Sequence, residues 1–158
     1  MAAASLLIYA AATAGVAVSL YALYVERHAK DDGFVALCDL SPTVSCSDVL
    51  TSEFSHVLSY WHLVAPGSAL DVPNAALGVL FYLGALSHAL LPRAAVLGAA
   101  TLSVALSLYL AYVLAFVLHD TCVLCISTYV LNFLIFMGAA RRALAPAAAA
   151  RAKAGKAA

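Results

Sequence analysis

Thr121-Cys122-Val123-Leu124-Cys125-Ile126-Ser127-Thr128-Tyr129-Val130-Leu131-Asn132-Phe133-Leu134-Ile135-Phe136-Met137-Gly138-Ala139-Ala140 is a run of 20 residues without one charged side chain. A hydrocarbon core roughly 30 Å thick is crossed by about 20 apolar helical residues, so this run has the length and composition of a membrane span. Three more charge-free stretches precede it: Ser5 to Val25, Pro73 to Leu91 and Ala94 to Leu118. The whole chain agrees with them. Of its 158 residues 65% are hydrophobic and 10% charged, where a soluble domain carries about 25% charged residues. The first stretch is not a secretory signal peptide by its pattern, because it lacks a basic leader and a polar step to a cleavage site. The expected fold is an all-α membrane protein, a four-transmembrane-helix bundle occupying residues 1–144, followed by an Ala- and Lys-rich cytosolic tail, 145–158.

Lys and Arg near span ends stay on the cytosolic side. Arg141, Arg142, Arg151, Lys153 and Lys156 follow the fourth run and Arg93 lies between the second and third, whereas only Arg27 and Lys30 lie on the opposite side. Both termini are therefore expected in the cytosol. The loop 26–72 and the turn around His119 and Asp120 then face the lumen or exterior. A net charge of zero and the absence of a basic aromatic patch give no reason to expect nucleic acid as a partner.

The long loop is rich in hydrophobes, from Phe34 and Val35 to Trp61, Leu63 and Val64. It is expected to fold back as a luminal cap. Ser45 or Ser47 can cap a short helix running from Asp48 to about Leu58, whose Val49, Leu50, Phe54, Val57 and Leu58 follow helical spacing. In the third run Ala95, Ala99, Ser103, Ser107, Ala111 and Ala115 make a stripe of small residues that favours close helix packing in lipid.

All four cysteines fall on the non-cytosolic, oxidising side, where disulfides persist. Four cysteines allow three pairings, and the sequence alone does not choose among them. Cys122 and Cys125 form a C-x-x-C pair at a helix start, after Asp120 and Thr121 as candidate N-caps. Helix-start N–H groups favour a thiolate on Cys122, and the thiolate is the reactive form. Cys125 lies deeper, where it would meet an apolar electron acceptor. Read alone, the pair fits a zinc knuckle or a structural disulfide as well as redox chemistry. Cys38 and Cys46, a C-x7-C pair in the loop, read alone as a structural staple. Together the two pairs form a set that can exchange disulfides through a mixed intermediate. The C-x7-C spacing is wide for zinc, so no metal site is expected. Polar residues at membrane depth need partners. Asn74 beside Pro73 and Tyr129 one turn beyond Cys125 are candidate hydrogen-bond donors to a quinone, or else a helix-start amide and an interfacial aromatic. Asn132 is expected to bond between helices, and His88 to sit at the cytosolic interface.

The segments Ala36-Leu37-Cys38-Asp39-Leu40, Val44-Ser45-Cys46-Ser47, Pro73-Asn74, Phe81-Tyr82, Ser107-Leu108-Tyr109-Leu110-Ala111 and Cys122-Val123-Leu124-Cys125-Ile126-Ser127-Thr128-Tyr129 closely resemble the vitamin K epoxide reductase family, including its paralogous branch, from about Ser19 to Arg142. The resemblance implies that Cys122 and Cys125 are catalytic, with Cys125 meeting quinone, and that Cys38 and Cys46 relay electrons from thioredoxin-like luminal proteins. It implies substrate contacts at Asn74, Tyr129, Phe81, Val49, Leu50 and Ser52, and an endoplasmic reticulum membrane location. It further implies vitamin K quinone and its epoxide as substrates, no permanently bound cofactor, and 4-hydroxycoumarins as inhibitors. The chain departs from the family after Ser52, where Glu53-Phe54-Ser55-His56-Val57-Leu58-Ser59 replaces an Arg- and Gly-rich run. Leu50 and Leu77 stand where aromatic residues are usual, which loosens the expected pocket. Within the enzyme class, net oxidation of partner proteins with quinone as the sink is the alternative. Outside it, a four-helix adhesion scaffold would also carry a loop cysteine pair, but not one at a helix mouth.

Overall fold

A computed structural model describes residues 2–41 and 43–157, with side chains described no further than residue 145. The architecture is all-helical. Helix α1 spans Ala2–His28, α2 Cys46–Leu50, α3 Val57–Tyr60, α4 Asn74–Leu86, α5 Arg93–Val113 and α6 Val123–Ala157, with a 3-10 turn at Glu53–Ser55 and a π-helical turn at Leu114–Leu118 continuing α5. No strand occurs among the described residues; Ser41 and Val44 form an isolated bridge. The basic residues Arg151, Lys153 and Lys156 lie outside the described side chains.

Three helices are long and apolar enough to cross a membrane: Ala2–His28, Arg93–Leu118 and Val123–Ala145. The second expected span is the exception. Its helix has 13 residues, about 20 Å at 1.5 Å per residue, short of a roughly 30 Å core. The helix ends at Leu86 with Ser87 as its C-cap, and the Ser87 Oγ and His88 ring bond the carbonyls of Leu83 and Ala85 at 3.3 and 2.8 Å. Pro92 then separates it from α5.

Helix α1 is central, packed against both α4 and α6, while α5 packs on α6. Its buried residues Ile8, Ala11, Ala12, Gly15, Ser19, Ala22 and Val25 recur at helical spacing. Glycine sets the approach at its contacts. A Cβ at Gly15 would collide with the Tyr82 ring, and one at Gly138 would lie 2.6 Å from the Ile8 side chain. In lipid such close packing supplies what the hydrophobic effect does not. The small-residue stripe on α5 matches this principle only in its middle. Ser103, Ser107 and Ala111 are covered, whereas Ala95, Ala99 and Ala115 are exposed. The buried face of α5 runs instead through Val96, Ala100, Ser107 and Val113. Asn132 bonds between helices as expected, donating to Ser107 Oγ at 2.9 Å. His88 is buried against Tyr9.

Two apolar clusters divide the bundle. One surrounds Ile8, Tyr82, Ala100 and Ile135 toward the N-terminus of α1. The other gathers Ala22, Val25, Ala36, Leu50 and Leu114 around Cys38, Cys46 and Cys122.

The cap is built differently from one continuous helix. Ser45, not Ser47, is the N-cap of α2, its hydroxyl accepting from Asp48 N at 3.1 Å. The helix breaks after one turn, where Thr51 Oγ1 bonds Ser47 O at 2.8 Å and Ser52 Oγ bonds Val49 O at 2.7 Å. Such side-chain bonds offer the backbone an alternative to propagation. A 3-10 turn and the four-residue α3 follow.

Candidate active site

The four cysteines form two disulfides, Cys38–Cys46 in the cap and Cys122–Cys125 at the mouth of α6. Both belong to one buried cluster, and Cys46 and Cys122 are fully buried. Backbone and side-chain bonds sew the loop carrying Cys46 to the segment carrying Cys122: Thr121 N donates to Thr43 O at 3.0 Å, and Ser45 N to Asp120 Oδ1 at 3.3 Å. The two disulfides are thereby neighbours.

Neither Asp120 nor Thr121 caps α6. The helix begins at Val123, and Cys122 Sγ accepts from Cys125 N at 3.2 Å, the bond an N-cap side chain makes. The sulfur that the sequence marked for thiolate stabilisation thus sits on the helix-start N–H groups. Cys125 and Tyr129 pack half-buried against the same cluster, as do Val49, Ala75 and Leu124.

Other expected site residues are deployed less uniformly. Leu50 lies in the dithiol cluster. Asn74 opens α4 and clasps the cap: its Oδ1 accepts from Val57 N at 3.1 Å and its Nδ2 donates to Phe54 O at 2.7 Å. Ser52 turns its hydroxyl onto Val49 O and lines a cavity of about 590 Å³ beside the cap. Phe81 packs on the other cluster, against Tyr82.

Sequence reading passed over Asp39. One carboxylate oxygen accepts from Cys46 N at 2.8 Å, Ser47 N at 3.0 Å and Ser45 Oγ at 3.2 Å; the other accepts from Ser47 Oγ at 2.6 Å and Ala36 N at 3.0 Å. An acid beside one cysteine and serines on both sides of the other are the available signal. Burial works against the Asp39 charge, but these bonds outweigh it and hold the carboxyl at about 2, below the usual 3.8. A depressed carboxyl stabilises the fold fully above its ordinary value and loses that contribution as pH falls toward the folded one. The wild-type cap is therefore expected to loosen between about pH 4 and 2. Asp39→Ala, losing bonds to a charged acceptor worth about 1.5–3 kcal/mol, should be less stable at neutral pH and flat through that window. Thermal melting of the two proteins across pH in the same detergent checks this; parallel acid profiles would count against it.

The chain matches the family model described as "Vitamin K epoxide reductase family" over residues 6–140. The chain belongs to the vitamin K epoxide reductase family. Among its relatives in that family is "Vitamin K epoxide reductase complex subunit 1" of Mus musculus, 40% identical over 126 residues, which cover 75% of this chain and 78% of the relative. The Rattus norvegicus protein of the same name is 39% identical over the same length and coverage. The chain is accordingly a membrane oxidoreductase of the vitamin K epoxide reductase family, and a non-enzymatic scaffold is set aside.

Proposed function

We propose that this protein reduces vitamin K epoxide, vitamin K quinone or both, with electrons taken from luminal thiol proteins. What carries the reading is the adjacency of the two disulfides within one buried cluster, joined to membership of a family whose named relatives are vitamin K epoxide reductase subunits. A partner dithiol opens Cys38–Cys46 and leaves as its own disulfide. One loop thiolate then attacks Cys122, forming a mixed disulfide and releasing Cys125 as a thiolate. The second loop thiolate attacks the loop sulfur of that bond, restoring Cys38–Cys46 and releasing Cys122, so that Cys122 and Cys125 become the free dithiol. Two electrons and two protons pass from Cys122 and Cys125 to the quinone, giving the hydroquinone, or to the epoxide, giving quinone and water. The Cys122–Cys125 disulfide is restored. Exposed Val35, Leu37 and Leu40 flank Cys38 and offer an approaching partner an apolar collar.

Asn74 and Tyr129 supply the hydrogen bonds to substrate oxygens, with Val49, Leu50, Ser52 and Phe81 as the surrounding contacts. One N–H of the Asn74 amide is left for this purpose, since an amide nitrogen carries two. Helix α4 and the turn after it make the fourth crossing, with the cysteines in the endoplasmic reticulum lumen and both termini cytosolic. The decisive experiment is turnover by the purified protein of vitamin K epoxide and of vitamin K quinone with dithiothreitol. Absence of turnover with both substrates would overturn the reading. Orientation has its own test. A glycosylation acceptor inserted between Trp61 and Ala69 is expected to be modified in microsomes, and one appended after Lys156 is not; the reverse pattern would move the cysteines to the cytosol.

A further inference from the structure

His56, in the segment where this chain departs from the usual cap sequence, has both ring nitrogens on carboxylates. Its Nδ1 lies 2.9 Å from Asp71 Oδ1 and its Nε2 3.2 Å from Glu26 Oε1. The three residues come from separate places: Glu26 from the end of α1, His56 from between the 3-10 turn and α3, Asp71 from the approach to α4. Both acids are largely covered, at 14% and 11% side-chain exposure, against 33% for His56.

A neutral imidazole has one N–H and one lone pair; only the imidazolium donates from both nitrogens. The other oxygen of Glu26 is buried without a hydrogen-bond partner. Were the Nε2 proton absent, both oxygens of that carboxylate would be unpaired beside an imidazole lone pair. Asp71 is fixed independently, because Gly67 N donates to its Oδ2 at 2.8 Å, and that bond holds its carboxyl below the usual range. The remaining charged or titratable groups around the cavity beside His56 are Lys30 after α1, Glu53 on the 3-10 turn, and Tyr60 and His62 at and after the end of α3, with Arg27 near Glu26. Immediately after His56, Val57 N is the atom that Asn74 holds.

We propose that His56 is a positioning residue that, as an imidazolium bridging Glu26 and Asp71, seats the cap on the bundle, so that the cap loosens when the ring loses a proton. Histidine is the side chain whose charge ordinarily changes between pH 5 and 8. The bridge needs both ring protons, so it is complete in the imidazolium and broken once one of them is lost. The proposal concerns the cap's seating and does not depend on which substrate lies beneath it.

Hydrogen exchange of the full-length protein in nanodiscs tests it, read at the amides of residues 54–61 and corrected for the intrinsic pH dependence of exchange. In the wild type, protection of these amides is expected to fall several-fold from pH 6 to pH 8.5. His56→Arg, charged throughout and able to reach two carboxylates, should keep the acid-side protection at both pH values. His56→Gln and Glu26→Gln should show low protection without the pH step. His62→Gln, altering the neighbouring histidine, should retain the wild-type profile. Exchange in α1 and α6 reports whether each variant is folded. A pH step that survives in folded His56→Gln, or wild-type protection that is flat, would overturn the proposal. Turnover assayed on the same samples separates the two readings: an inactive wild type that still shows the His56-dependent step refutes the proposed reductase and leaves the bridge standing.

Discussion

Cys122→Ala and Cys125→Ala are each expected to abolish turnover with every reductant, whereas Cys38→Ala and Cys46→Ala should lose activity with a protein thiol donor and keep much of it with dithiothreitol. Burial alone does not set this asymmetry, since Cys38, Cys46 and Cys122 are all buried and Cys125 is half-covered. A small dithiol can open the α6 disulfide at Cys125 directly. A protein donor is expected to dock on the exposed Val35, Leu37 and Leu40 around Cys38 and to enter at the loop pair. Losing the loop disulfide also frees a short closed loop, a change worth about 2–3 kcal/mol by chain entropy, and this would soften the cap in either variant. The dithiothreitol rate separates the two effects, since a softened cap does not stop a small reductant. Equal loss in all four variants with dithiothreitol would argue against the relay order.

How much of this arrangement was legible in the sequence depended on whether the deciding contact was local. Charge-free runs located the helices, because lipid excludes unpaired charge over a fixed thickness. The same runs overestimated α4, since the helix ends at Leu86 while the charge-free run continues to Leu91. Helical periodicity from Val49 to Leu58 was present, but Thr51 and Ser52 turned their hydroxyls onto the backbone and divided the segment. The C-x-x-C pair announced its helix-start position, but its disulfide was one of three pairings that the spacing left open. That Cys122 itself is the cap emerges only from the Cys125 N–H pointing at its sulfur. Asp39, His56 and the clasping role of Asn74 depend on partners brought together by the fold: Asn74 bonds a residue 17 positions away, His56 one 30 positions away. No spacing rule covers such pairs.

The clasp changes what is expected of Asn74→Ala compared with Tyr129→Phe. Tyr129 packs against the cysteine cluster one turn beyond Cys125, and on the proposed role, removing its hydroxyl is expected to leave a substrate carbonyl without a partner in an apolar site. That loss is typically about 1–3 kcal/mol, or roughly tenfold to a hundredfold in quinone binding at 1.4 kcal/mol per decade. Asn74→Ala removes the same kind of bond and, in addition, strands Val57 N–H and Phe54 C=O, both now held by the amide. Quinone-dependent turnover should therefore fall in both variants, but only Asn74→Ala should raise hydrogen exchange at Val57 and its neighbours. Asn74→Asp keeps the acceptor for Val57 and sets a carboxylate oxygen against Phe54 O, so it should recover little of either property. The measurement pairs quinone kinetics with exchange in one set of preparations. Wild-type kinetics in Tyr129→Phe would reduce Tyr129 to an interfacial aromatic. Lost turnover in Asn74→Ala in step with lost cap protection, with quinone affinity unchanged, would make Asn74 a residue of the cap and not of the substrate.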